Sequence, residues 1–146
     1  MTREDWEDQF REIATRMLEQ HHQAAERAAK LPATRPSTRI ELYRRVLRGR
    51  DFLLSLSSEN VPLNALAREA CLSPFHFHRS FTQIFGSTPH QYLTAYRMDR
   101  ATRLLKSLTV TEVALESGFE SPASFSSLFR RHYGRPPSAF KLSKNQ

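Results

Sequence analysis

Large apolar residues recur at three- and four-residue intervals along most of the chain, and no stretch alternates with period two. The spacing predicts helices, and no Asn-Gly or Asp-Gly pair supplies a hairpin turn. Residues 2–30 open with Thr2 and Asp5, an N-cap arrangement, and carry Trp6, Phe10, Ile13 and Met17 on one stripe. That stripe fades into Ala24, Ala25, Ala28 and Ala29. Leu31 to Ser37, with Pro32 and Pro36, reads as a break. Thr38-Arg39-Ile40-Glu41 has the form of a capping box and predicts a second helix to about Ser57. Asn60-Val61-Pro62 reads as a turn.

The remainder repeats itself. Residues 63–74 (LNALAREACLSP) are answered by 110–122 (VTEVALESGFESP), with one extra residue in the second turn. Phe77, Phe81, Phe85, Gly86, Pro89 and Tyr92 match Phe125, Phe129, Tyr133, Gly134, Pro137 and Phe140. Each copy predicts a short helix, a tight turn, and a second helix with Ser at its N-cap and Pro first. Each second helix stops at a glycine suited to the left-handed C-terminal position. Two short helices joined in this way form a helix-turn-helix, here twice.

Composition adds a partner class. The chain is 39% hydrophobic and 25% charged with net charge +7, a soluble, folding composition. The charge is uneven: residues 1–30 hold five basic and seven acidic groups, residues 31–146 hold 17 and eight. A net +9 on the larger part suggests a polyanion, or else an inert solubilising surface. No apolar run is long enough for a membrane span, and no secretory leader is expected behind an acidic start, so the expected location is cytoplasmic. The single cysteine, Cys71, gives neither a disulfide nor a zinc cage, and its expected role is a small packed turn residue. The four glycines stand too far apart for a phosphate-cradling loop.

In the helix from Pro74 to Phe85, Phe77, Phe81, Ile84 and Phe85 form an inward face. Phe75, His78, Arg79 and Thr82 lie opposite with Gln83 beside them, as a major-groove helix requires. Arg79 can donate twice to guanine O6 and N7, His78 once, and Phe75 can meet a thymine methyl. In the helix from Pro122 to Tyr133, Phe125, Phe129 and Leu128 go inward, and Ala123, Ser124 and Ser127 take the reading positions. These small residues permit close approach but carry little base code. Ser73, His76, Ser121, Arg130, Arg131 and Arg135 are the expected backbone contacts, which position a protein without reading sequence. Between the copies, Pro89 to about Ser107 reads as one helix of about 27 Å, a spacer for two recognition helices on successive major-groove faces. Its Arg97, Arg100 and Arg103 face either phosphate or intramolecular acids at Asp99, Glu112 or Glu116.

From about residue 40 to 142 the pattern resembles the DNA-binding domain of the AraC/XylS family of bacterial transcription regulators. The residues that carry the resemblance begin with Ala67-x3-Cys71-Leu72-Ser73-x3-Phe77-x-Arg79-x-Phe81 and Gly86-x2-Pro89-x2-Tyr92. They continue with Arg97-x3-Ala101-x2-Leu104-Leu105, Glu112-Val113-Ala114-x3-Gly118-Phe119, Ser121-x3-Phe125-x3-Phe129 and Gly134-x2-Pro137-x2-Phe140. The resemblance implies an all-α fold of two helix-turn-helix units on a linker helix, binding double-stranded promoter DNA. It places base-reading roles on Phe75, His78 and Arg79, and on Ala123, Ser124 and Ser127. RNA polymerase is the implied further partner of an activator.

Three departures stand out. Ser127 replaces an arginine common in the family, and the stretch from Leu105 to Val113 is about two residues short. Thr109-x-x-Glu112 still forms a capping box there. The 39 residues before Ile40 are too few for the ligand-binding domain many members carry, so effector sensing is not expected. The expected division is a helical extension at 1–37 and a DNA-binding domain at 38–146, itself split into 38–88, 89–107 and 108–146. The extension either packs on its own domain or pairs with a partner, a second copy included. The rival reading is a shortened member that sequesters another regulator. No enzyme is expected: His76 and His78 point to different sides, His21-His22 lacks a partner at ligand spacing, and no metal, cofactor or catalytic constellation is legible.

Overall fold

The structure, a computed structural model, describes residues 3–31 and 35–144, with side chains for 15–16, 18–31 and 35–141. Helices alone carry the described fold: α1 (Arg3–Ala29), α2 (Pro36–Ser55), α3 (Leu63–Glu69) and α4 (Pro74–Phe85), then α5 (Pro89–Leu104), α6 (Val110–Glu116), α7 (Pro122–Tyr133) and α8 (Pro137–Lys144). No strand occurs among the described residues.

The helix ends follow short-range chemistry. Ser73 Oγ accepts from His76 N at 3.2 Å and Ser121 Oγ accepts from Ser124 N at 3.1 Å, with proline opening each helix behind its cap. Gly86 and Gly134 end these helices in the left-handed region at φ 71 and 74. Thr109 and Glu112 form the expected capping box, so α6 starts cleanly after the short connection. A second box, Thr88 with Gln91, opens α5.

Two cores result. Val46, Leu53, Leu66, Phe77, Phe81 and Ile84 anchor the first; Met98, Leu105, Val113, Phe125 and Phe129 anchor the second. Helix α5 serves both, giving Leu93 to the first and Met98 and Ala101 to the second, with Leu105 just past its end also in the second. Its 16 residues span about 24 Å, shorter than the 27 Å expected because the helix stops at Leu104.

Several expectations need correction. Thr38 does not cap α2. Pro36, with φ preset and no N–H to satisfy, starts the helix behind Arg35, and Glu41 accepts from Arg45 Nε at 3.0 Å instead. The helix ends at Ser55 rather than Ser57. Cys71 is exposed, not packed: its φ of 55 turns the side chain outward while Ala70 and Leu72 fill the space beneath. The alanines of α1 are not a fading stripe. Ala24 and Ala28, together with Leu31, are buried in the first core, their small side chains allowing close approach to α2 and α4. The described part of the extension therefore packs on its own domain, across the expected boundary at residue 37. Thr2 and the side chains of Asp5, Trp6, Phe10, Ile13 and Met17 lie outside those described.

Candidate nucleic-acid interface

Burial divides α4 as its sequence requires. Phe77, Ser80, Phe81 and Ile84 are buried, and Phe75, His76, His78, Arg79 and Gln83 are exposed. Phe75 is 76% exposed, an unusual position for an aromatic with no contact to protect it. None of the side chains of Arg79, His78 and Gln83 has a hydrogen-bond or ion-pair partner among the described residues, so their donors face outward uncommitted. Thr82 is half-buried and donates its hydroxyl to His78 O at 2.8 Å, which leaves it only acceptor capacity.

In α7, Phe125 and Phe129 are buried with Leu128 packed beside them, and Ala123, Ser124 and Ser127 are exposed. Ser121 Oγ both caps the helix and donates to Ser124 Oγ at 3.0 Å. Arg130 and Arg131 are exposed with no partner among the described residues. Arg135 is exposed too, with its guanidinium 5.0 Å from the centroid of Phe140. The repeat thus places two helices alike in start, stop and buried face, and unlike in the chemistry they expose.

The linker arginines do not form one phosphate-facing row. Arg97 is buried: its Nε donates to Ser57 O at 2.6 Å and an Nη to Glu59 O at 2.9 Å, and burial lowers its pKa from the ordinary arginine value. Arg100 reaches the hydroxyls of Ser57 and Ser58 at 3.4 and 3.5 Å. Arg103 pairs with Asp99 at 3.3 Å, as the intramolecular alternative expected, and Asp99 also receives Arg16 of α1 at 2.8 Å. Glu112 is taken by its capping box.

One part of the surface escaped the sequence reading. A groove of about 580 Å³ runs between the start of α2 and the exposed side of α4. Ser37, Thr38 and Arg45 line it beside His76, Arg79 and Gln83. Arg45 is held there by Glu41 and by Cys71 O at 3.3 Å. Nothing in the local sequence of α2 marks these residues as neighbours of α4, because a helix crossing brings them there. Among the described residues no group of His, Cys, Asp and Glu could hold a metal ion, and no helix is long and apolar enough to cross a membrane.

Residues 66–143, which contain α4 and α7, match the model of a helix-turn-helix domain family of the AraC type. The chain belongs to the AraC-type helix-turn-helix family. That family is one of DNA-binding transcription regulators, which is not an enzyme class. The chain is similar to LumQ of Photobacterium leiognathi, a probable transcriptional regulator, at 34% identity over 86 residues. That match covers 58% of this chain and 35% of LumQ. It is also 34% identical over 90 residues to RhaS of Escherichia fergusonii, an HTH-type transcriptional activator, covering 60% of this chain and 32% of RhaS. The match thus spans about a third of the length of these two curated relatives. Among solved structures, the DNA-binding domain of AdpA in complex with a target DNA superposes with a TM-score of 0.63 at 33% identity. It covers 68% of this chain and 91% of that domain. The family match therefore runs from Leu66 in α3 to Ser143 in α8.

Proposed function

We propose that the protein regulates transcription in the cytoplasm by binding promoter DNA, with α4 and α7 entering successive major-groove faces of one duplex. The observation that carries this reading is the uncommitted, donor-bearing face of α4, backed by buried phenylalanines and repeated in geometry on α7. Arg79, His78, Gln83, Thr82 and Phe75 read bases from α4, and Ala123, Ser124 and Ser127 line the second groove. Ser73, His76, Ser121, Arg130, Arg131 and Arg135 hold phosphates and fix the register. The AdpA domain, similar in fold and sequence, is bound to a target DNA, which supports a DNA partner here. An activating role adds RNA polymerase as partner, and a second copy of the chain is the candidate partner of the amino-terminal half of α1. Sequestration of another regulator is not adopted, since no observation favours it over DNA.

Selection from random duplexes with the recombinant full chain tests the reading. The expected result is an enriched site with two short half-sites about one helical turn, ~34 Å, apart. Enrichment of no sequence, or of one isolated half-site, would overturn it.

A further inference from the structure

The two cores are joined by more than the linker helix. Arg97 stands on α5 between Leu93, which belongs to the first core, and Met98, which belongs to the second. Its two donors grip Ser57 O and Glu59 O, carbonyls just beyond the end of α2. Helix α2 has no basic residue in its last turn, so Arg97 supplies from another helix the cation that a helix C-terminus favours. The same loop touches the second unit. Ser58 Oγ donates to Glu116 O at 3.2 Å, and a Cβ at Gly118 would lie 2.7 Å from Ser58 O. Phe119, next in the α6–α7 turn, lies 5.9 Å from the Arg97 guanidinium carbon. Loop 56–60 of the first unit is thus held between α5 and the turn that leads into the second reading helix.

Resting on the two-groove reading above, we propose that Arg97, with Gly118 opposite, is a positioning residue that fixes the distance and rotational phase between α4 and α7, and hence the half-site spacing the protein accepts. Without the clamp, α5 is still continuous, but the α6–α7 turn is no longer braced against the loop after α2. A buried guanidinium with two carbonyl acceptors tolerates little displacement, because each lost bond leaves a desolvated charge unpaired. Two reading helices on a rigid frame demand one spacing; on a loose frame they accept several.

The test compares affinities of the full chain for a selected operator, for the same operator with one or two base pairs inserted between half-sites, and for a duplex with the first half-site alone. Wild type is expected to lose at least tenfold on a one-pair insertion. R97M, which keeps the apolar stem and removes the donors, is expected to lose less than threefold on the same insertion while binding the isolated half-site as wild type does. G118A should behave likewise from the other side of the contact. R97K keeps charge and stem but replaces the two-armed donor, and carries the same comparison should R97M fail to fold. An insertion penalty in folded R97M or R97K equal to that of wild type overturns the clamp and leaves the two-groove reading standing. A wild type indifferent to spacing overturns that reading, and the clamp with it.

Discussion

A Cβ placed on Gly49 would lie 2.3 Å from Cε2 and 2.7 Å from Cζ of Phe77, so α2 touches α4 with nothing between backbone and ring. Leu66 O closes the other side at 3.3 Å, and Phe77 is fully buried, so neither neighbour has room to give. Alanine improves helix propensity by about 1 kcal/mol, but overpacking a filled core costs about 1–3 kcal/mol. G49A is therefore expected to lower stability by about 1 kcal/mol net in urea unfolding. A midpoint equal to or above that of wild type would show that α2 slides off the ring at little cost.

The contribution of α1 has a local signature. Removing residues 1–30 uncovers the part of α4 against which Ala24 and Ala28 pack, and lifts Arg27 away from Gly86. Hydrogen exchange is expected to speed up more in α4 than in α7, because the described residues of α1 that are buried, Ala24 and Ala28, belong to the first core. Protection in α4 unchanged from that of the full chain would mean that residues 38–146 stand alone, as the expected domain boundary had it.

Glu112 gives the second unit a pH dependence. The N–H and hydroxyl of Thr109 donate to its carboxylate at 2.8 Å each and hold its pKa below the ordinary glutamate value. A depressed folded pKa gives stability that is complete above the unfolded value and disappears as pH falls through the folded one. Wild type should exceed E112Q in stability at neutral pH, with the gap closing below the ordinary glutamate range. Unfolding midpoints measured from pH 7 down to 3 check this; a gap independent of pH would assign the effect to shape rather than charge.

What could be read from sequence was what short-range chemistry decides. Ser73 and Pro74, Ser121 and Pro122, and the glycines at 86 and 134 set helix ends within three or four residues, and all lie where the pattern put them. The phenylalanines at 77, 81, 125 and 129 were legible because a repeated helical stripe has only one inward face. Thr38 misled because a proline two residues earlier starts a helix more decisively than a threonine cap. Arg97 was open because its acceptors are backbone carbonyls about 40 residues away, and carbonyls leave no mark in a sequence. Ala24 and Ala28 looked like the end of a stripe because small residues at a close helix contact carry little hydrophobic signal.

Salt should weaken binding steeply. Six phosphate contacts give a log–log slope of about −5 in affinity against salt concentration. The arginines free for such contacts include Arg130 and Arg131, while the buried Arg97 is withdrawn from them. Binding titrations between about 50 and 200 mM salt measure the slope, and a flat profile would oppose a DNA-binding role.

The two reading helices should divide the work unequally. Arg79 is exposed and uncommitted, and a bidentate contact to guanine is worth about 1–3 kcal/mol of discrimination. Ser127, its counterpart on α7, offers one short hydroxyl that serves as donor or acceptor and favours no single base. Ser124, the other polar reader on α7, already accepts from the Ser121 hydroxyl, which narrows what it can offer. R79A is therefore expected to relax preference at one or two positions of the first half-site, and S127A to leave the selected sequence unchanged. R131A should weaken binding to all sequences by a similar factor and make the salt slope shallower by about one unit. Selected operators from the three variants, with titrations on matched and mismatched duplexes, separate these outcomes. Equally sharp preferences in both half-sites would contradict the division. Readout on the second side would then rest on groove shape, or on waters bridging Ser124 and Ser127 to base edges, for which close approach by small side chains leaves room.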